Sequence, residues 1–123
     1  SDSQQSIQFT IDDCIPSDYT LISKDSNSRF DMFLYANDSD STLCVTIYLL
    51  ENYSGAITID TEDAEVWYNT LHEQRVMFVQ KENTYQATWT DETAQKMYVI
   101  FGSNTAPDVM DGIVEKMLLS NFY

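Results

Sequence analysis

Hydrophobic and polar positions alternate with a period of two along much of this chain, and near its end the period lengthens to three or four. In Tyr85-Gln86-Ala87-Thr88-Trp89-Thr90 the odd-numbered residues are apolar or aromatic and the even-numbered ones polar, which predicts a strand with one buried face. Met97-Tyr98-Val99-Ile100-Phe101 follows within a hairpin's reach. The chain then turns through Gly102-Ser103-Asn104 into a stretch where Val109, Met110, Ile113, Val114, Met117 and Leu118 recur at helical spacing, with Asp111, Glu115 and Lys116 largely off the stripe. Thr105 and Asp108 fit a capping box, and Pro107 suits the first turn, so a helix is predicted over 106–119 with Thr105 as its N-cap. Burying six such side chains at ~1.5–3 kcal/mol each is enough to anchor that helix on a sheet.

Earlier in the chain, Ile7, Phe9 and Ile11 alternate with Gln8, Thr10 and Asp12, predicting a short first strand that Pro16 ends. Residues 19–23 read as extended, and Lys24-Asp25-Ser26-Asn27-Ser28 has turn composition. Residues 30–35 read as a strand, Asn37-Asp38-Ser39-Asp40-Ser41 as a turn, and Leu43 to Leu50 as a strand apolar on both faces, hence central and covered on each side. A turn follows at Asn52-Tyr53-Ser54-Gly55. Residues 60–74 read two ways. Ala64, Trp67, Tyr68 and Leu71 have helical spacing, with Glu62 and Asp63 suited to a first turn. The aromatic and β-branched run 66–71 equally suits a strand that turns at His72-Glu73-Gln74 and pairs with 75–80.

Together these elements predict an α+β domain: an antiparallel sheet of about five to seven strands with a C-terminal amphipathic helix packed on one face. A chain of 123 residues is one ordinary domain with a self-sufficient core. Residues 1–6 read as a linker-like N-terminus and 7–123 as the domain. The polar start at Ser1, without a methionine, has the pattern of a trimmed or processed chain.

Six basic and twenty acidic side chains give a formal charge of −14. Such a surface repels phosphate backbones and anionic headgroups, which argues against nucleic acid and against membrane contact by the domain itself. A protein partner or a neutral ligand is compatible with it. Cys14 and Cys44 permit one bridge or two small buried hydrophobes, and neither lies in a CxxC arrangement.

The order Ile15-Pro16-Ser17-Asp18-Tyr19, Ile59-Asp60-Thr61, Val76-Met77-Phe78-Val79, Trp89 closing an alternating strand, Tyr98-Val99-Ile100-Phe101-Gly102 and a final amphipathic helix resembles an uncharacterised bacterial family. Its members are similar to extracytoplasmic C-terminal domains of membrane-anchored, anti-sigma-factor-like proteins. The resemblance implies that 66–71 is a strand leading through a turn into 75–80, although a glycine is commoner where this chain has His72-Glu73-Gln74. It also implies a location outside the cytoplasm, by an anchor absent from this chain or by secretion.

Chemistry-bearing groupings are sparse. His72 is the only histidine, so any Ser-His-Asp or Cys-His dyad must use it, and a turn histidine at the surface is the plainer reading. Asn37-Asp38-Ser39-Asp40-Ser41 and Asp60-Thr61-Glu62-Asp63 cluster oxygen ligands but lack the EF-hand pattern. Gly55, Gly102 and Gly112 are isolated and form no phosphate loop. No catalytic, cofactor-binding or metal-ligating residue is assigned. Trp67 and Tyr68, neighbours that a strand sends to opposite faces, are the candidate ligand or partner surface. The expected function is that of a non-catalytic extracytoplasmic binding or regulatory domain. The alternative is a small carbohydrate-binding or carbohydrate-active domain using carboxylates and an exposed aromatic.

Overall fold

The computed structural model describes residues 10–51, 61–93 and 95–120. A 3₁₀ turn, Ile11–Cys14, precedes strands β1 (Tyr19–Ser26), β2 (Phe30–Asn37), β3 (Cys44–Glu51), β4 (Glu65–Leu71), β5 (Gln74–Lys81), β6 (Thr84–Asp91) and β7 (Lys96–Ser103), and the helix α1 (Pro107–Leu119) closes the chain. The strands form one antiparallel sheet in the order β1-β2-β3-β7-β6-β5-β4. This is the predicted α+β architecture, at the upper end of the predicted strand count.

Pairing aligns the alternation seen in the sequence. Tyr85, Ala87 and Trp89 face Gly102, Ile100 and Tyr98 across β7, and Ile100 and Gly102 face Ile47 and Val45 on the other side. With Val76 and Phe78 these residues make one apolar face. Met110, Ile113, Val114 and Met117 of α1 bury against it, while Ile11, Cys14 and Ile15 belong to the same cluster. The helix comes very close to β7: a Cβ at Gly102 would overlap Met110 Sδ and lie 3.0 Å from its Cε. Glycine is therefore what lets Met110 seat on the strand. Among the described residues no helix is long and apolar enough to cross a membrane.

Polar turns fix the hairpins. The Asn27 side-chain carbonyl accepts hydrogen bonds from the Arg29 and Phe30 amides at 2.7 and 3.1 Å, and that of Asn37 accepts from Ser39 and Asp40 at 2.9 and 3.1 Å; both are Asx turns. The stretch 62–74 is not a helix: β4 and β5 form a hairpin, with Leu71 paired to Gln74 across a two-residue loop. His72 and Glu73 carry φ of 49° and 67°, the type I′ pattern for which Asn-Gly is preferred. Strand propensity and cross-strand pairing outweigh the left-handed strain at these two residues.

Four local expectations change. Ile11 lies in the 3₁₀ turn and not in a first strand, while Ile7 and Phe9, the linker-like 1–6, the 52–55 turn and Ile59-Asp60 lie outside the described residues. Lys24, Asp25 and Ser26 extend β1 instead of turning, because they pair with Phe33, Met32 and Asp31. β3 is interior to the sheet, but α1 and the 3₁₀ turn cover one face of it: Val45 and Ile47 are fully buried whereas Thr46, Tyr48 and Leu50 are half-buried. Ala106, not Thr105, is the N-cap of α1, and no side chain caps it. The Thr105 hydroxyl is buried and lies within hydrogen-bond distance of the Cys44 and Ser103 carbonyls and of Tyr19 Oη. That residue pins the β7–α1 connection to the sheet, which removes it from capping.

Cys14 and Cys44 are free thiols. Cys14 is in the helix-side core, whereas Cys44, paired with Ala36 and out of phase with Val45, lies on the other face.

Candidate functional site

The β4–β5 hairpin splits the two aromatic candidates. Trp67 points to the helix side, where its ring stacks on Phe78 at 5.5 Å and meets Tyr85 edge-on at 6.0 Å. It is packing material for the core. Tyr68 points to the opposite face, is 50% exposed, and stands across from Met77.

Period two then assembles a site around Tyr68. Arg75 precedes Met77 by two residues on β5 and shares its face, so its guanidinium reaches over the Tyr68 ring, 4.4 Å from the centroid. Thr88 of β6 stands across from Met77, and Thr90 across from Met97 of β7. The end of β6 adds Asp91 at the rim, and the β6–β7 loop adds Glu92 and Thr93. These groups line an open cleft of about 610 Å³, within the size range of small-molecule sites. Its floor is mixed: the methionines are apolar, and Thr88 Oγ1 accepts a hydrogen bond from Gln86 Nε2 at 3.3 Å.

The cleft is unusual in its charges. Arg75 is one of only six basic residues in a chain with twenty acidic ones. Its guanidinium nevertheless makes no ion pair among the described residues and rests on Tyr68 alone. Glu92 is exposed and also unpaired among them. Stacking on an aromatic face leaves the edge donors of a guanidinium available and reduces the freedom lost when they bind. The cleft therefore presents a preoriented planar donor, the unpaired carboxylate of Glu92, threonine hydroxyls and an apolar floor.

Catalytic and metal groupings take other forms here. Asp91, the last residue of β6, and Glu92 are adjacent in the chain, so this pair does not bracket a bond from opposite sides as the two carboxylates of glycoside hydrolysis do. His72 sits in its hairpin turn with Nε2 2.6 Å from Glu115 Oε1, an exposed pair that ties the turn to α1. No cluster of three His, Cys, Asp or Glu side chains suited to a metal occurs among the described residues. In the Asn37–Ser41 turn the oxygens already serve the fold: Asp40 Oδ1 accepts from the Thr42 hydroxyl at 2.7 Å, which holds its carboxyl below the usual range.

The perturbed groups are structural. Burial, and then a hydrogen bond to a carboxylate, pushes the Tyr35 and Tyr85 hydroxyls well above the usual tyrosine range. Tyr35 donates to Asp12 of the 3₁₀ turn and Tyr85 to Asp111 of α1, the latter at 2.6 Å. Each ties a cover element to the sheet. Burial likewise pushes the Cys14 thiol up, against the lowering effect of Ser120.

Of the two residues singled out in the sequence, the structure brings only Tyr68 into the cleft. Arg75, Met77, Thr88, Thr90, Glu92 and Met97 were not singled out. The signal for the first two was present: in the hairpin register, Tyr68 faces Met77, and Arg75 follows on the same face.

Residues 10–117 match the family model described as Domain of unknown function (DUF4367). No curated protein and no solved structure matches the chain.

Proposed function

We propose, from the premise that this chain belongs to the DUF4367 family, a domain of unknown function, that it is a non-catalytic ligand-binding domain displayed outside the cytoplasm by a membrane-anchored protein or lipoprotein. The cleft between Tyr68 and the β6–β7 loop is its binding site. One observation carries the reading: a guanidinium held over an aromatic ring, with no carboxylate partner among the described residues, at the edge of a small-molecule-sized cleft in a strongly acidic protein. A preorganised, underused donor of this kind is what a binding site supplies. The extracytoplasmic location draws its support from the resemblance to anti-sigma-factor-like membrane proteins. The carbohydrate alternative is weaker, because a sugar needs a free aromatic face and Arg75 covers one face of Tyr68.

The experiment is a thermal-shift screen of small metabolites against the domain and against Thr90→Trp, which fills the cleft from its floor. The reading predicts compounds that raise the melting temperature of the parent, lose that effect in the variant and are recovered unaltered. Stabilisation that survives Thr90→Trp places the site elsewhere, and chemical conversion of a bound compound overturns the non-catalytic assignment. Labelling of intact cells carrying the full-length protein with a membrane-impermeant amine reagent tests location, with label on this domain expected and its exclusion contradictory.

A further inference from the structure

Besides Asp91, which has a partner of its own, the cleft contains two opposite charges that do not neutralise each other. Arg75 and Glu92 both line it, yet they form no ion pair with one another or with any other described residue. Arg75 enters from the start of β5, Glu92 from the β6–β7 loop, and Thr88, Thr90, Met77 and Met97 lie in the lining with them. In a chain of net charge −14, a cation usually finds a carboxylate nearby. Here the guanidinium lies over a ring face, which aims it without satisfying its donors.

The overall charge limits what such a site can take. A simple anion entering it approaches a field set by twenty acidic side chains, which raises its free energy before it reaches Arg75. A simple cation gains no distinction from this cleft, because carboxylates are abundant over the rest of the surface. A zwitterion has no net charge to be repelled, and its two ends match the two unpaired groups. The planar fork of Arg75 suits a carboxylate, with two parallel hydrogen bonds; Glu92 suits an ammonium group; the methionines suit an apolar side chain.

We infer that the cleft takes a small zwitterion of the free amino-acid type, with its carboxylate on Arg75, its ammonium group toward Glu92 and an apolar side chain over Met77 and Met97. This rests on the cleft being the binding site and adds the class of ligand. The threonine hydroxyls contribute orientation, since each offers both a donor and an acceptor beside the apolar floor.

The test uses three probes that share a phenyl ring: L-phenylalanine, 3-phenylpropionate, which lacks the ammonium group, and 2-phenylethylamine, which lacks the carboxylate. Calorimetric titration of the domain is expected to give the tightest binding for the zwitterion, with each truncated probe weaker by about tenfold or more, the scale of a charge-assisted hydrogen bond. Arg75→Gln is expected to bring phenylalanine down to the affinity of 2-phenylethylamine and to leave 2-phenylethylamine unchanged. Glu92→Gln should do the converse with 3-phenylpropionate. Arg75→Lys, which keeps charge but loses the fork, should fall between. Melting temperatures within about 2 °C of the parent show that these exposed changes spare the fold. Equal binding of 3-phenylpropionate and phenylalanine makes this a simple anion site, and equal binding of 2-phenylethylamine a cation site; either result overturns the zwitterion and leaves the cleft in place. If all three fail to bind, the inference falls, while the metabolite screen against Thr90→Trp still decides separately whether the cleft binds anything.

Discussion

Gly102→Ala probes the contact by which the helix seats on the sheet. The added Cβ overlaps Met110 Sδ and lies 3.0 and 3.1 Å from Met110 Cε and Cγ, so three successive atoms of one side chain stand in its way. Met110 is 0% exposed, so any shift of its side chain has to be taken up within the packed core. Overpacking of this kind costs about 1–3 kcal/mol. Gly102 lacks a positive φ, so alanine fits the backbone and offsets about 0.4–1 kcal/mol by restricting the unfolded chain. The balance is a loss of about 1–2 kcal/mol. At this chain length that is a fall in melting temperature of about 3–10 °C, read by circular dichroism. Met110→Ala alone should lower stability by about 2–5 kcal/mol through the cavity it leaves. In the double variant the new methyl group enters that space, so the two losses should sum to less than their separate values. A stabilising Gly102→Ala, or strict additivity in the double-mutant cycle, refutes the close seating of α1 on β7.

Other consequences are as direct. Ile113, 1% exposed at the centre of the helix stripe, should lose about 2–5 kcal/mol on Ile113→Ala in a denaturant titration; an unchanged midpoint would contradict its burial. Glu73→Gly relieves a non-glycine residue at φ 67° and should stabilise the hairpin by about 1 kcal/mol, raising the melting temperature by a few degrees. The Tyr35 and Tyr85 hydroxyls have raised folded pKa values, so their contribution is complete below the unfolded tyrosine pKa of about 10 and is lost as pH rises toward the folded values. An alkaline titration at 295 nm should therefore show these two of the eight tyrosines ionising only with unfolding, and their ionisation in the intact domain would contradict the Asp12 and Asp111 contacts. Native protein should expose Cys44 to a thiol reagent before Cys14, which is 1% exposed; equal rates would mean that the 3₁₀ turn does not bury Cys14.

The legible part of the fold was the part whose period was long enough to count. The stripe from Val109 to Leu118 and the alternation from Tyr85 to Thr90 are each fixed by burial of one face, so their partners follow once the strands are paired. Thr105 was misread because a hydroxyl before a helix serves equally well as a cap or as a buried tie, and only the tertiary position of Tyr19 and the Cys44 carbonyl decides between them. β3 was expected to be covered on both faces because apolar residues continue through it; half-buried Tyr48 and Leu50 show that an apolar run can also occur where the described cover lies on one side.

The site was less legible for a related reason. Trp67 and Tyr68 were visible as a pair destined for opposite faces, but which one faced the helix depended on the register of β4 against β5. Arg75 could have been placed beside Tyr68 from that register. Glu92 was harder to place, since its position at the rim depends on two successive registers, β5 against β6 and β6 against β7, and on where the β6–β7 turn falls.

The most direct test of the central claim is a residue-resolved map of ligand contact. Backbone amide resonances and the Arg75 Nε–Hε signal of the labelled domain would be followed while a compound selected by the thermal-shift screen is added to saturation. The account predicts the largest shifts at Tyr68, Arg75, Met77, Thr88 and Glu92, with the solvent face of α1 unmoved. Largest shifts along α1 or the β1 edge, with an unperturbed Arg75 side chain, would contradict it.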